Sequence, residues 1–279
     1  MSIINVLSQW RANASIGGNI VNWHTLEPRS ATFAPFPHDL HPNIAEALAK
    51  TGIEKLFSHQ LNAWELISRG NHIVVATGTS SGKSLCYNLP VLNYLSNNPT
   101  GRALYLFPTK ALAQDQKTAL EAFLAKMSTS YALEDQEAKQ VSVATYDGDT
   151  PNNIRKAIRN NSNLIFSNPD MLHTGILPHH TNWMEFFSEL KFVIIDEIHV
   201  YRGVFGSHLA NVLRRLKRIA NFYGSKPQFI LTSATIANPA EHASRLIEKD
   251  VKLIDKDGSG QGAKHLLIYN PPIVNRELG

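Results

Sequence analysis

Six short apolar runs alternate with helix-like stretches along this chain, and this alternation constrains the fold more than any other feature. The runs span 72–76, 102–107, 141–145, 163–167, 191–195 and 228–232. The helical patterns between them span about 83–96, 110–126, 151–159, 184–189 and 206–223. Continuous apolar strands separated by helices indicate a mostly parallel sheet that is flanked by helices on both faces. We therefore predict an α/β fold with right-handed crossovers.

Composition narrows the class of protein. The 279 residues suffice for one large domain or two small ones. The single cysteine, Cys86, excludes an intrachain disulfide and a cysteine-based zinc site, and it fits a reducing, cytoplasmic location. A net charge of +4 permits a nucleic-acid partner without requiring one. We expect neither a signal peptide nor a membrane span, because no apolar run approaches the ~20 residues that a span needs.

A Gly- and Ser-rich loop follows the first apolar run and precedes a helix. Its glycines let the backbone curl around an anion, and the helix N-terminus directs N–H groups at phosphate. Lys83 is expected to reach the β/γ-phosphates of ATP, and the Ser84 hydroxyl to bind Mg²⁺. Thr77 occupies the first Gly position of the usual pattern, so an ordinary Gly/Ser turn is the alternative. The expected ATP-binding residues of the loop are Thr77, Gly78, Thr79, Ser80, Ser81, Gly82, Lys83 and Ser84.

A later apolar run ends abruptly on two adjacent acids, Asp196 and Glu197, with His199 two places further on. Parallel α/β sheets bind their ligands at the carboxyl ends of the strands, where these acids would lie. Asp196 is expected to hold Mg²⁺ through water, and Glu197 to take the proton from the attacking water, with Lys83 as the other catalytic residue. The alternative is a strand end that happens to be acidic. Together with the phosphate loop, the pair suggests nucleotide hydrolysis.

With these residues in place, the chain resembles a superfamily 2 DEAD/DEAH-box (DExH) helicase, specifically its first RecA-like motor domain. Five ordered motifs carry the resemblance: the glutamine motif at 57–60, motif Ia at 108–112, motif Ib at 167–172, motif II at 196–199 and motif III at 233–235. The resemblance implies a RecA-like P-loop NTPase fold with an N-terminal helical extension. It implies ATP and Mg²⁺ as cofactors.

The resemblance also implies roles for single residues. Gln60 would read the adenine edge, and His199 would bridge motif II to Ser233 and Thr235, unless His199 is merely a packed histidine. Arg202 would couple strand binding to the ATP site, with an ordinary surface arginine as the alternative. The residues expected to hold the sugar–phosphate backbone are Thr109, Lys110, Asn168 and Asp170.

Three segments narrow the resemblance to the MrfA/YprA-type helicases: 36–40, 77–84 and 201–208. That group is linked with DNA repair and 3′→5′ unwinding. The partners it implies are single-stranded or partly duplex DNA, with RNA not excluded, and a second RecA-like domain.

The resemblance also divides the chain. Residues 1–37 are expected to form an accessory segment, 38–264 the ATP-binding domain, and 265–279 the start of a linker to an absent second domain. The chain would then bind ATP without unwinding DNA.

Other interpretations of the chain stay open at this point. A small-molecule P-loop kinase also uses a phosphate loop, and a non-catalytic module could bind ATP or nucleic acid without hydrolysis. The Gly/Asp/Lys-rich stretch at 255–264 is expected to be a solvated loop. A basic run covers Arg214, Arg215, Lys217 and Arg218 on a helical pattern, and we interpret it as a solvated helix face in preference to a DNA-binding patch.

Overall fold

The computed structural model describes residues 3–127 and 141–272. The chain divides into a large unit, Phe33–Gly258, and a small unit that combines Met1–Thr32 with Ser259–Gly279. Within the described residues, no helix is both long enough and apolar enough to cross a membrane.

The strands are short, as the apolar runs predict. They are β1 Ile20–Leu26, β2 Phe33–Ala34, β3 Leu56–Phe57, β4 His72–Val75, β5 Arg102–Leu106, β6 Val143–Thr145, β7 Leu164–Ser167, β8 Leu190–Ile195, β9 Gln228–Thr232, β10 Val251–Ile254 and β11 Lys264–Tyr269. Seven of them form the main sheet in the order β10-β4-β9-β8-β5-β7-β6, and every pairing in it is parallel. The predicted parallel sheet is therefore confirmed.

The helices lie between these strands. They are α1 Ile3–Ala12, α2 Ala14–Gly17, α3 Pro42–Lys50, α4 Ser58–Ser68, α5 Lys83–Asn97, α6 Lys110–Leu124, α7 Asn152–Asn161, α8 Pro169–Met171, α9 Met184–Ser188, α10 Gly203–Phe222 and α11 Pro239–Ile247. A π-helical turn, Leu172–Ile176, and 3₁₀ segments, Leu177–Trp183 and Ile198–Val200, complete the described set.

Both faces of the main sheet are buried. Alternate residues of one strand point to opposite faces, so Ile73 and Val75 join one apolar cluster while Val74 joins the other. The central strand β8 divides in the same way, with Ile194 in the first cluster and Ile195 in the second. A strand that is buried on both sides is apolar on both faces along most of its length, which explains the continuous runs in the sequence.

The small unit differs from the sequence expectation. Where we expected a linker to begin, at 265–279, the chain forms β11, which pairs antiparallel with β1. The alternation in β11 between half-buried and exposed residues suits a two-stranded ribbon and escapes a search for continuous apolar runs. Residues 273–279 lie outside the described range.

The stretch at 255–264 is also less solvated than expected. Gly258 is buried, and its backbone N–H donates to Nδ1 of His59 at 3.1 Å. The expectation of a wholly solvated loop was therefore wrong for this part of the stretch. A glycine can pack this closely because it has no side chain to accommodate.

Asn163 forms hydrogen bonds that connect the segments before β5, β6 and β7. Its Nδ2 donates to the carbonyls of Pro99 and Gly101, at 2.8 and 3.0 Å, and its Oδ1 accepts from the N–H of Ser142 at 3.1 Å. Asn163 is only 4% exposed, so water cannot replace these bonds.

We predict that Asn163→Ala lowers the free energy of unfolding by about 1–3 kcal/mol, because buried backbone groups lose their partners. Urea denaturation measures the change. Asn160→Ala, at an exposed site on α7, is the matched control and should have little effect. Equal stability of the two variants would contradict the role of Asn163.

Candidate ATP and nucleic-acid site

The predicted motifs meet at one edge of the main sheet, because each directly follows the carboxyl end of a parallel strand. The phosphate loop follows β4, motif III follows β9, motif II follows β8, motif Ia follows β5 and motif Ib follows β7. Backbone bonds continue past the strands: Ser233 N–H donates to the Val75 carbonyl at 2.9 Å, and Asp196 N–H to the Leu106 carbonyl at 3.0 Å. The sheet order thus places the acids between the phosphate loop and motifs Ia and Ib.

The phosphate loop is curled around its own lysine. Lys83 Nζ donates to the carbonyls of Thr77 and Gly78, at 3.1 and 2.9 Å. Gly82 precedes α5 with φ +78°, a left-handed conformation that favours glycine. Thr79 and Ser80 are exposed at the tip of the loop. An anion bound inside the loop can replace these two carbonyls as the hydrogen-bond acceptor of the Lys83 ammonium group.

Thr77 has a structural function in place of the usual first glycine. Its hydroxyl lies 2.7 Å from the hydroxyl of Ser81, and both side chains are 1% exposed. The pair closes the base of the loop from inside, away from the surface that faces a ligand. The departure from the strict motif is therefore compatible with the curled backbone that the motif requires.

Gln60 ties the start of α4 to the phosphate loop. Its Oε1 accepts from the N–H of Phe57 at 2.9 Å, and its Nε2 donates to the Gly82 carbonyl at 3.0 Å. A cavity of about 450 Å³ lies beside it, with Phe57, Ile53 and Leu85 among its lining residues. An amide next to aromatic and aliphatic walls suits an adenine base, because the walls can stack on the ring while the amide meets its polar edge.

The residues expected to hold Mg²⁺ fit a cation. The Ser84 hydroxyl donates to Oε1 of Gln116 at 3.0 Å, which leaves its lone pairs available to a metal. Asp196 is 8% exposed, and burial, more than any other cause, raises the pKa of its carboxyl above the usual value. A nearby cation would offset this desolvation cost. Thr232 also donates to Asp196 from the neighbouring strand.

Glu197 is held in an unusual backbone conformation. Its φ and ψ are 53° and 47°, and its N–H donates to the Thr232 hydroxyl at 3.3 Å. Its Oε2 is buried without a hydrogen-bond partner in the described structure, although it lies 3.1 Å from Nδ1 of His199. The Glu197 side chain as a whole is 29% exposed, so water reaches the carboxylate through its other oxygen, which can accept a proton.

His199 connects motif II to motif III, but through a different residue from those expected. Its Nδ1 accepts from the backbone N–H of Ala234 at 3.1 Å, between Ser233 and Thr235. The Ser233 hydroxyl is buried without a hydrogen-bond partner in the described structure, and Thr235 is exposed. The expected bridge to these two side chains is therefore replaced by a backbone contact.

The residues expected to contact nucleic acid lie at the neighbouring strand ends. Thr109 and Asn168 cap helices: their side-chain oxygens accept from Leu112 N–H at 3.3 Å and from Met171 N–H at 2.8 Å. The Asn168 amide nitrogen has no hydrogen-bond acceptor among the described residues and is available as a donor. Asp170 is exposed on α8, in the same motif.

Lys110 and Arg202 are both exposed. Lys110 Nζ lies 2.5 Å from Oδ2 of Asp149, and this hydrogen bond, before any other cause, raises the lysine's pKa. Arg202 precedes α10 and forms no side-chain hydrogen bond to a described residue. Arg202 is thus exposed at the surface. This position fits both a residue that couples nucleic-acid binding to the ATP site and an ordinary surface arginine.

Several functional neighbours had no signal in the sequence. Gln116 anchors both Ser84 and Tyr87, and Thr232 contacts both acids of motif II. The third is Asp257, whose carboxylate lies 3.2 Å from the position that a Cβ on Gly78 would take. All three come from elements distant in sequence, so spacing cannot reveal them. No cluster of three or more His, Cys, Asp or Glu in the described residues could hold a metal by itself.

Comparison with known proteins gives a consistent result. The DEAD/DEAH box helicase family model matches residues 57–243. The chain is 50% identical over 277 residues to the ATP-dependent helicase YprA of Bacillus subtilis, which covers 99% of this chain and 35% of YprA. It is 41% identical over 276 residues to the ATP-dependent helicase HRQ1 of Saccharomyces cerevisiae, covering 98% of this chain and 25% of HRQ1.

Solved structures agree with the sequence relatives. The helicase MrfA bound to DNA and AMPPNP superposes with a TM-score of 0.90 at 49% identity, over 99% of this chain and 37% of MrfA. The helicase Lhr of Mycobacterium smegmatis, bound to single-stranded DNA and AMP-PNP, gives a TM-score of 0.68 at 26% identity, over 80% of this chain and 28% of Lhr. The chain spans about a third or less of the length of these relatives. It belongs to the DEAD/DEAH box helicase family, and its large unit is the first RecA-like domain of a superfamily 2 helicase.

Proposed function

We propose that this chain is the ATP-binding motor half of an ATP-dependent DNA helicase, with a 3′→5′ polarity and a role in DNA repair. The observation that carries the proposal is the sheet order, which puts the phosphate loop and the Asp196–Glu197 pair on one side of the edge and motifs Ia and Ib on the other. ATP hydrolysis and contact with nucleic acid would thus take place at the ends of neighbouring β-strands. MrfA, whose structure was solved with DNA and AMPPNP, supports this assignment.

We infer the roles within the ATP site from the contacts described above. Lys83 would leave the two loop carbonyls and bind the β/γ-phosphates, and Gln60 would meet the adenine edge from the loop's other side. Ser84 and Asp196 would hold Mg²⁺, which neutralises charge on the phosphate oxygens when it is bound. Glu197 would take a proton from the attacking water through its other carboxylate oxygen, Oε1, because the side chain is 29% exposed while Oε2 is buried against His199.

Motif III would change its contacts when ATP is hydrolysed at this site. His199 touches Glu197 on one side and the Ala234 backbone on the other, so a shift of the glutamate on proton transfer changes the contact with the loop after β9. Because β9 lies between β4 and β8, that loop adjoins both halves of the ATP site. The contacts from Glu197 through His199 to Ala234 would thus couple ATP hydrolysis to the other loops at this edge of the sheet.

A small-molecule kinase is the less well supported candidate. A phosphate loop alone fits both functions, but the His199 contact with motif III and the exposed polar groups after β5 and β7 have no use in such an enzyme. A non-catalytic binding module would use the loop without Glu197 as a base. The next prediction separates hydrolysis from binding.

We predict that Glu197→Gln slows single-turnover ATP hydrolysis by about 10²- to 10⁴-fold, because the amide cannot accept the proton from water. The comparison is made in the full-length protein with its second RecA-like domain, and excess protein with radiolabelled ATP measures the hydrolytic step. Affinity for a fluorescent ATP analogue should stay unchanged, and Lys83→Ala should abolish that binding as the positive control. Unchanged hydrolysis in Glu197→Gln would support the binding module.

We further predict that the 279-residue chain alone binds ATP but turns it over slowly and does not unwind DNA. In the superfamily, the second RecA-like domain supplies arginine fingers, and such a residue is worth ~10³–10⁵ in rate. Phosphate release with and without single-stranded DNA, and strand separation of a forked duplex, measure both activities. Strong DNA-stimulated turnover by this chain alone would refute the dependence on a second domain.

Lys110 gives a test of the nucleic-acid side. Lys110→Ala should weaken binding of single-stranded DNA and make its salt dependence shallower by about 0.7 in log K per log salt, because one phosphate contact is lost. Asp149→Ala is the matched variant: it removes the anion that competes for Lys110 and should strengthen binding. Fluorescence anisotropy at several salt concentrations measures both. If the salt dependence of binding is unchanged in Lys110→Ala, Lys110 does not contact a phosphate of the nucleic acid.

A further inference from the structure

The basic run on α10, Arg214, Arg215, Lys217 and Arg218, is exposed or half-buried. It lines a groove with a volume of about 1370 Å³ that follows the helix. Phe205 lines the groove near the start of the helix and Asn221 near its end, a distance of about 24 Å at the usual helical rise. The sequence interpretation of this run as a solvated helix face did not include the groove.

Cations from other parts of the chain line the same groove. Lys191 lies at the start of β8, Lys226 just before β9, and Lys249 between α11 and β10. The described acids that line it are Asp170 and Glu248. Helices and strands distant in sequence thus contribute positive charge to one concave surface, which a chance basic face on a single helix would not do.

Part of this charge is compensated within the protein and part is not. Glu248 accepts from Arg214 at 2.7 Å and from Lys217 at 3.2 Å. Arg215 and Arg218 form no side-chain hydrogen bond or ion pair with a described residue. Lys249 and Lys217 also lower the pKa of His72 at the groove wall, after the larger effect of burial. The groove therefore presents a positive field with free cationic groups.

The groove also has an apolar component and a defined starting point. Phe205 is 40% exposed within it, and Val212 forms part of its floor. One end reaches Pro169 and Asp170, in the motif expected to contact the sugar–phosphate backbone. Cations that track phosphates, with an aromatic ring on which a base can stack, are typical of single-strand sites. The continuity of the groove with motif Ib favours a nucleic-acid strand over an acidic peptide.

We propose that the α10 groove is a second contact site for single-stranded nucleic acid, which continues the strand path beyond motif Ib. This inference rests on the proposed function, since the nucleic acid must first bind at motif Ib. Arg215 and Arg218 would each contact a phosphate, and Phe205 would stack on a base. The contact would be independent of sequence, because it involves backbone charge and a ring face.

The test compares short and long oligonucleotides on the 279-residue chain. Oligo-dT of about 6 nucleotides should fit motifs Ia and Ib alone, and oligo-dT of about 20 nucleotides should also reach the groove. Arg215→Ala with Arg218→Ala should weaken binding of the long oligonucleotide at least about fivefold, and reduce its salt slope by about 1.4, or 0.7 per lost contact. Binding of the short oligonucleotide should be unchanged.

The matched control removes two positive charges elsewhere. Lys126→Ala with Lys252→Ala changes exposed lysines that do not line the groove, and long-oligonucleotide binding should then change less than twofold. Retained binding of a fluorescent ATP analogue shows that each variant is folded. Phe205→Ala should weaken long-oligonucleotide binding without altering the salt slope, because stacking releases no counterions.

The outcomes separate this inference from the proposed function. If the long oligonucleotide binds, Lys110→Ala weakens it, and the double arginine variant does not, the groove site is refuted and the proposed function stands. If neither oligonucleotide binds the parent chain, both are refuted. If the double variant loses only the binding of a poly-glutamate peptide, the groove is a site for an acidic protein segment and the inference is overturned.

Discussion

The parallel pairing of β4, β9, β8 and β5 is the constraint on which the site depends. These strands are neighbours in space but not in sequence, and each ends in a different motif. Backbone hydrogen bonds hold the motif residues in register past the strand ends, as in the bond from Ser233 to Val75. The positions of the phosphate loop and the two acids are therefore set by the sheet, whose core is buried on both faces.

The sequence predicted those parts of the fold that depend on long-range apolar burial. All six predicted strands of the main sheet are present, because strands buried on both faces are apolar along most of their length. It did not predict β10, which has Lys252 in its middle, or the β1–β11 ribbon, whose burial is one-sided. Such strands are specified by pairing partners, and pairing leaves little trace in a local pattern.

The candidate site shows the same division. The residues that follow strands, such as Lys83 and Asp196, could be located because their motifs have fixed spacing. Their supporting partners could not, because Gln116 and Thr232 reach the site from a helix and a strand far along the chain. The His199 contact was expected at Ser233 and Thr235 and lies at the Ala234 backbone, since a backbone N–H carries no sequence signature.

Cys86, the sole cysteine, lies on α5 directly behind the phosphate loop. It is 1% exposed, and burial raises the pKa of its thiol to about 12. In the native fold the reactive thiolate is therefore scarce and out of reach of alkylating reagents. The chain is consequently suited to single-site spectroscopic labelling: cysteines introduced at the surface would react selectively, while any alkylation of Cys86 would record the opening of the helix that carries Lys83.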